Sequence, residues 1–253
     1  MKIDGNAFFV TGGGSGLGAA TAEYLAAQGG KVTVFDLSET AAKTIADRIG
    51  GLAAVGDVCD EAAVEAALDA AEQAHGPLRG LVLCAGIGRG ARVVGREGPM
   101  PMAEFDAVIR VNLSGSFNVL RLASARMSLS EPMAEEERGA VIMTASLAAF
   151  DGQVGQAAYS ASKGAIVSMT LPIAREFARF GIRVATIAPG IFLTPIMKDT
   201  SEEAQKIIGK DIQFPARLGR PEEFAALVGS ILTNPYINGE VIRIDAATRL
   251  SPR

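Results

Sequence analysis

Ala7-Phe-Phe-Val10 runs straight into Thr11-Gly-Gly-Gly-Ser-Gly-Leu-Gly18, and the segment after it, Leu17 to Gln28, carries its apolar residues at helical spacing. A strand that enters a glycine-rich turn and leaves it as a helix suits a pyrophosphate. The glycines admit close backbone approach, and the helix N-terminus faces the negative charge. The next apolar run, Lys31-Val-Thr-Val-Phe-Asp36, ends in a carboxylate about twenty residues past the loop, where a dinucleotide fold holds the adenosine ribose. Asp36 can accept from both ribose hydroxyls and would repel a 2′-phosphate, and neither the loop nor Leu37-Ser38 supplies an Arg or Lys to bind one. The pattern predicts NAD rather than NADP as cofactor, with Gly12, Ser15, Gly16, Leu17, Gly18 and Asp36 as contacts.

The rest of the chain repeats this alternation. A helix over Ser38 to Ile49 precedes the run Ala53-Ala-Val-Gly-Asp-Val58; a helix N-capped by Asp60 and closed near Gly76-Pro77 precedes Gly80 to Gly86. A long helix is expected from Met102 to about Met127. Further apolar runs at 140–146, 182–190 and 240–245 complete seven strands. Near-continuous apolar strands separated by helices predict an α/β Rossmann fold: one domain over 1–253, with a doubly wound, seven-stranded parallel sheet and helices on both faces. Ligand contacts in such folds gather beyond the carboxyl ends of strands, which adds Asp57, Val58, Ala85 and Gly86.

Tyr159-Ser-Ala-Ser-Lys163 lies in a helix predicted over Gln156 to Arg179, so Tyr159 and Lys163 stand one turn apart on one face. Lowering a tyrosine pKa from ~10 to ~7 takes roughly 4 kcal/mol. An ammonium ~4 Å away supplies about that much at an effective dielectric of ~20. Lys163 is therefore expected to make Tyr159 a proton acceptor, with Ser146, at the end of Ala140-Val-Ile-Met-Thr-Ala-Ser146, holding a substrate oxygen beside it. Tyr-x-x-x-Lys alone is an ordinary surface pair; the company of the glycine loop and Asp36 gives it meaning. Asn112, a poor helix former in the middle of a predicted helix, has two readings. It marks a kink satisfied by water, or it ties the lysine to solvent through one.

Composition narrows the function further. With 49% apolar residues, a net charge of −4 and one histidine, the chain shows no basic footprint for nucleic acid and no polybasic membrane anchor. No apolar run reaches the length of a membrane span, and no leader pattern opens the sequence. Cys59 and Cys84 show neither C-x-x-C nor zinc spacing and are expected to pack as small hydrophobes in a reducing compartment, so a soluble cytoplasmic protein without a metal is the expectation. His75, at a predicted helix end, is expected to cap the helix or face solvent. Its place in the chain also excludes an α/β-hydrolase, whose histidine comes last. Residues 128–139, with Glu135-Glu-Glu137, read as a solvated acidic loop. The apolar, turn-rich stretch Ile191 to Phe214 reads as a lid over substrate.

Thr11-Gly12-x-x-x-Gly16-x-Gly18, Asp36, Asp57-Val58, Ala85-Gly86, Asn112, Ser146, Tyr159-x-x-x-Lys163, Pro189-Gly190 and Thr194 resemble, in order and spacing, the short-chain dehydrogenase/reductase family over nearly the whole chain. The resemblance implies that Tyr159 is the catalytic acid/base, that Lys163 lowers its pKa and binds the nicotinamide ribose, and that Ser146 orients the substrate oxygen. It also implies that Asn112 supports a proton-relay water, that Thr194 binds the nicotinamide carboxamide, and that Pro189 and Gly190 line the cofactor. Leu83-Cys84 replaces the family's usual asparagine pair.

Within that family, Thr144 to Phe150, Gly152 to Gly164, Phe214-Pro-Ala-Arg-Leu-Gly219 and Asn238-Gly-Glu-Val-Ile-Arg-Ile-Asp245 resemble type II 3-hydroxyacyl-CoA dehydrogenases, a group that includes a 17β-hydroxysteroid dehydrogenase. The implied reaction interconverts a (3S)-3-hydroxyacyl-CoA and the 3-oxoacyl-CoA with NAD, and Gln153 and Gln156 join Ser146 and Tyr159 as expected substrate contacts. A CoA ester needs basic groups at the rim, for which Arg89, Arg92 and Arg96 on the loop Ile87 to Pro101 are candidates; a solvated loop is the alternative. Rival functions are a secondary-alcohol or hydroxysteroid dehydrogenase, a 3-oxoacyl-carrier-protein reductase, and a non-enzymatic NAD-binding scaffold. A homotetramer is expected from the resemblance, its long helices pairing across a two-fold axis and Asn238 to Arg253 forming a second interface.

Overall fold

β-Branched, aromatic and Leu-rich runs buried on both sides leave a strand no exposed face, and helices must cover each side of the sheet it joins. The computed structural model, which describes residues 1–194 and 209–252, shows that outcome. β1 (Ala7–Thr11), α1 (Gly16–Ala27), β2 (Lys31–Asp36), α2 (Glu39–Ile49), β3 (Leu52–Val55), α3 (Glu61–His75) and β4 (Leu78–Leu83) form the first half. The second half holds α4 (Met102–Ile109), α5 (Ser116–Leu129), β5 (Gly139–Thr144), α6 (Ala157–Phe177), β6 (Ile182–Pro189), α7 (Pro221–Thr233) and β7 (Val241–Ile244). One seven-stranded sheet results, ordered β3-β2-β1-β4-β5-β6-β7, and every pairing in it is parallel.

Successive residues of a strand face opposite sides, and the two cores follow that period. Phe8, Val10, Val34, Ile142 and Ile187 pack with Leu25 of α1, Ile45 of α2 and Phe224 of α7. Phe9, Phe35, Val141, Met143 and Val184 pack with Leu68 of α3, Leu120 of α5 and Ile166 of α6. Phe8, Phe9, Phe35 and Phe224 are fully buried. Each contributes on the order of 2–3 kcal/mol of transfer free energy.

The structure departs from the sequence reading in four places. β3 and β4 end earlier than expected, at Val55 and Leu83, where their last partners across β2 and β1 are Asp36 and Thr11. Asp57, Val58, Ala85 and Gly86 therefore lie in turns past the strand ends. The expected helix from Met102 to Met127 is broken by a π-helical segment, Arg110–Gly115, which carries Asn112. Glu137 is not part of a solvated loop: it is buried, and its Oε1 accepts from Arg183 Nε at 2.8 Å. Helix α7 is an element additional to those expected. Its signals were present in Pro221 at the start, the acidic pair Glu222-Glu223 in the first turn, and Phe224, Val228, Ile231 and Leu232 on one stripe. Residues 195–208, most of the expected lid, lie outside the described residues.

The glycine loop is packed to contact. A Cβ on Gly18 would stand 2.2 Å from the Gly12 carbonyl oxygen, whereas one on Gly164 in α6 would meet nothing within 4 Å. Gly18→Ala should lower the thermal midpoint sharply and weaken cofactor binding. Gly164→Ala should raise stability by about 0.5–1 kcal/mol, since alanine restricts the unfolded chain more than glycine does. Paired denaturation curves decide it; a neutral Gly18→Ala would mean the loop is looser than this packing.

Candidate active site

Between β1 and β4 the chain leaves the sheet towards opposite faces, and a cleft of about 570 Å³ opens over the carboxyl ends of the strands. Ser15, Gly16, Leu17 and Gly18 line one wall, at the start of α1. Ser15 occupies the N-cap position but makes no side-chain cap hydrogen bond, and no acidic residue stands in the first turn. The first amides of α1 thus face the cleft without a side-chain acceptor, a donor set that fits a pyrophosphate. Asp36 lies beside them, its Oδ2 accepting from Gly14 N and its Oδ1 from Ser38 N, both at 3.0 Å. These bonds aim the carboxylate while leaving lone pairs for two ribose hydroxyls. Among the described residues lining the cleft the only cation is Lys163, at its other end, so nothing beside Asp36 offers a 2′-phosphate a partner. The residues fit an NAD-type dinucleotide.

Asp57 and Val58 reach the wall next to Asp36. Asp57 accepts from Cys59 N at 2.9 Å and pairs with Arg110 Nη2 at 3.3 Å, and Asn118 Nδ2 donates to the Val58 carbonyl at 2.9 Å. Ala85 and Gly86 form the floor, with Thr11 Oγ1 accepting from Cys84 N and Ala85 N. Pro189 and Thr194 close the far side. Gly190 turns away from the cleft: a Cβ there would lie 2.8 Å from Asp245 Cα.

The hydroxyls predicted to do chemistry meet at the far end. Ser146, just past β5, lies near enough to the Tyr159 phenol to hold its pKa down, and its Oγ accepts from Ala148 N at 3.1 Å. One turn along α6, Lys163 Nζ lies 5.9 Å from the centre of the Tyr159 ring and donates to the Thr144 carbonyl at 2.8 Å. The electrostatic expectation needs correction. Burial pushes the Tyr159 phenol up, and only the nearby Ser146 hydroxyl opposes it. Burial also pushes Lys163 down from 10.5 to about 8. Helical spacing brings the two groups together, but removing each from water costs more than their attraction returns.

Asn112 is fully buried in the π segment. Its Oδ1 accepts from Ile87 N at 2.7 Å, and its Nδ2 donates to the Ile87 carbonyl at 3.0 Å and to Ser162 Oγ at 3.1 Å. A Cβ on Gly86 would lie 3.1 Å from Asn112 Oδ1 and 3.6 Å from Lys163 Nζ. Both side chains therefore border the same glycine, and the kink and the site prove to be one feature.

Other candidates lie elsewhere. Gln153 Nε2 donates to the Ser251 carbonyl and Gln156 Oε1 accepts from Gln153 N, so both glutamines brace the loop before α6. Arg92 and Arg96 are exposed around a short hairpin, Val94–Gly95 with Gly98–Pro99, and Arg89 stands 3.7 Å from Glu104. His75 ends α3, where burial pushes its imidazole down. Cys84 is more than a packing residue: its buried thiol, pushed up to about 11, sits 3.5 Å from Thr144 Oγ1 on the cleft wall. Sequence reasoning missed the Thr144 carbonyl, since a backbone acceptor leaves no signal in residue type. Among the described residues no group of three or more His, Cys, Asp or Glu could hold a metal ion, and no helix is long and apolar enough to cross a membrane.

A phosphate-binding helix start, a ribose-facing carboxylate and a Ser-Tyr-Lys cluster in one crevice define a dinucleotide-dependent oxidoreductase of Rossmann type. The chain belongs to the short-chain dehydrogenase family, whose sequence profile matches residues 6–205. It is 46% identical to 3-hydroxyacyl-CoA dehydrogenase type-2 of Bos taurus over 255 aligned positions, covering 99% of this chain and 98% of the relative. The crystal structure of 3-hydroxyacyl-CoA dehydrogenase type-2 from Mycobacterium avium superposes with a TM-score of 0.95 at 43% identity, covering 98% of each chain. A 3-ketoacyl-(acyl-carrier-protein) reductase from Brucella melitensis, solved in complex with NADH, superposes with a TM-score of 0.87 at 28% identity, covering 98% of this chain and 100% of that one.

The depressed Lys163 pKa has a thermodynamic signature. Between about 8 and 10.5 the unfolded chain holds a proton on this lysine that the folded chain has released, so stability rises with pH across that window. Below about 8 the folded protein carries the full cost of the buried charge. Lys163→Met lacks this term. The stability of the wild type relative to Lys163→Met should therefore increase from pH 8 to 10.5, as read by urea denaturation; a flat difference would mean that Lys163 is hydrated.

Proposed function

We propose that this protein is an NAD-dependent dehydrogenase that interconverts a (3S)-3-hydroxyacyl-CoA and the corresponding 3-oxoacyl-CoA, with Tyr159 as acid/base. The observation that carries this reading is the meeting of Ser146, Tyr159 and Lys163 at the end of the cleft, with Lys163 Nζ 5.9 Å from the centre of the Tyr159 ring. The names of the relatives supply the substrate class. Oxidation removes a hydride from C3 and a proton from its hydroxyl, and NAD, when bound, supplies the hydride acceptor. Ser146 holds the substrate oxygen and Tyr159 takes its proton. Lys163, with a pKa of about 8, remains mostly charged at neutral pH and offsets the cost of forming a buried phenolate. In the reverse direction the raised phenol pKa keeps Tyr159 protonated and ready to donate. Asn112 holds the Ile87 turn and Ser162 in register with Lys163, and Thr194, on the cleft wall, would hold the nicotinamide carboxamide.

Tyr159→Phe should reduce turnover by at least ~10³-fold while leaving NADH affinity nearly unchanged, because it removes the proton acceptor and little binding surface. Initial rates followed by NADH absorbance, together with fluorescence titration, decide this; substantial residual activity would refute the assigned base. The same assay with hydroxyacyl-CoA, hydroxysteroid, simple secondary alcohol and carrier-protein substrates tests the substrate class.

Asp36→Ala should narrow the preference for NAD over NADP, since both the ribose acceptor and the charge that repels phosphate are lost. A wild type that used both cofactors equally would end this assignment. We assign the CoA phosphates to Arg89, Arg92 and Arg96, exposed on a loop that follows a strand's carboxyl end. Replacing all three by alanine should raise KM for the CoA ester and spare a short uncharged thioester of the same acyl group, with added salt mimicking the change. Equal losses on both thioesters would assign the arginines to loop support.

A homotetramer in the cytoplasm is the assembly and compartment we infer. Phe117 on α5 is exposed at a groove between α5 and α6, Leu171 on α6 is exposed as well, and both cysteines are free.

A further inference from the structure

Ser146 and Tyr159 are joined by a stretch with little regular structure. After Ser146 the chain makes a single 3-10 turn, Leu147–Ala149, and then runs irregularly until α6 begins at Ala157. The relative placement of the two hydroxyls depends on what restrains residues 147–156. Within the stretch Ala149 N donates to the Ser146 carbonyl, Phe150 N and Asp151 N to that of Leu147, Gln153 N to Gln156 Oε1 and Gln156 N to the Gln153 carbonyl. Other restraints come from more than 90 residues further along the chain. Arg243 of β7 places Nη2 2.5 Å from Asp151 Oδ2 and its guanidinium 5.0 Å from the centre of the Phe150 ring. Gln153 Nε2 donates to the Ser251 carbonyl at 3.0 Å, and Val154 N to that of Pro252 at 3.2 Å.

Arg243 is itself held. Its Nε donates to Asp245 Oδ2 at 2.7 Å and its Nη2 to the Thr248 carbonyl at 3.2 Å. Asp245 Oδ1 accepts from Ala247 N at 3.1 Å, and its carbonyl accepts from Thr248 N at 2.9 Å. These bonds keep Ala246 and Ala247 at φ of 49° and 58°, a left-handed conformation that residues with a Cβ rarely adopt. Backbone of this kind persists only where its surroundings over-determine it. The turn it makes sends residues 248–252 back across the loop 150–154. Arg243 and Asp151 are each about one-fifth exposed, so their pairing is not a freely solvated surface contact.

We propose that Arg243 is a positioning residue. By clamping Asp151 and the returning chain it fixes the loop between Ser146 and Tyr159, and with it the alignment of the two hydroxyls on the substrate oxygen. The inference rests on the dehydrogenase reading above. Neither Arg243 nor Asp151 lines the cofactor cleft, so cutting the link should slow chemistry without loosening the cofactor.

The test uses Asp151→Asn, which keeps the shape and removes the charge, Arg243→Met, which removes the fork, and Arg243→Lys, which keeps the charge alone. Three quantities are read: kcat and KM on the hydroxyacyl-CoA, NADH Kd by fluorescence, and hydrogen exchange of residues 147–156 in the cofactor-free protein. Asp151→Asn and Arg243→Met should each lower kcat by ~10- to 100-fold, the scale of a small misplacement, with NADH Kd changed by less than ~2-fold. Exchange should accelerate in 147–156 and stay unchanged in α3, and Arg243→Lys should recover part of kcat. An unchanged kcat, a parallel loss of NADH affinity, or unaltered exchange in the loop would each overturn the proposal. Asp151→Asn decides the matter if Arg243→Met does not fold. A wild type that fails to turn over the thioester would sink the earlier reading alone, since the exchange measurement judges the clamp without activity.

Discussion

Parallel pairing is the constraint on which the rest of this molecule depends. Two parallel neighbours cannot be joined by a tight turn, so each connection crosses a face of the sheet as a helix and every strand ends at the same edge. Asp36, Asp57, Ala85, Ser146 and Pro189 are scattered through the sequence, yet each follows or closes a strand and all reach that edge. The cleft opens where β1 and β4 send the chain to opposite sides. A compact glycine loop, with Gly18 pressed on the Gly12 carbonyl, brings the start of α1 into that opening.

The chemistry of the site sits inside a desolvated floor. Lys163 is buried, donates to a strand-end carbonyl, and retains charge at neutral pH despite its lowered pKa. Tyr159 is half-buried, and the same desolvation that favours its neutral form makes it a ready proton donor. One burial thus has opposite consequences for a cationic and a neutral acid, and a balance between them suits a reaction that runs in both directions.

The π segment links the two ends of the cleft. Arg110, at its start, pairs with Asp57 near the ribose end, and Asn112, two residues on, braces Ile87 and Ser162 near Lys163.

Much of the fold was legible because its signals are local. Strand runs, the Asp60 cap, the glycine loop and the carboxylate at the end of β2 depend on neighbours a few residues away, and the structure reproduces them. The spacing of Tyr159 and Lys163 was legible for the same reason, since helical periodicity places them on one face. The π interruption, the burial of Glu137 and the bracing roles of Gln153 and Gln156 were not. All but Gln156 depend on partners tens of residues distant: Ile87 and Ser162 for Asn112, Arg183 for Glu137, Ser251 for Gln153. The sequence by itself determined the alternation, the order of the strands' apolar runs and the residue types that reach the cleft. Only the tertiary structure decided their protonation and orientation, because desolvation is set by whatever the fold packs around a group.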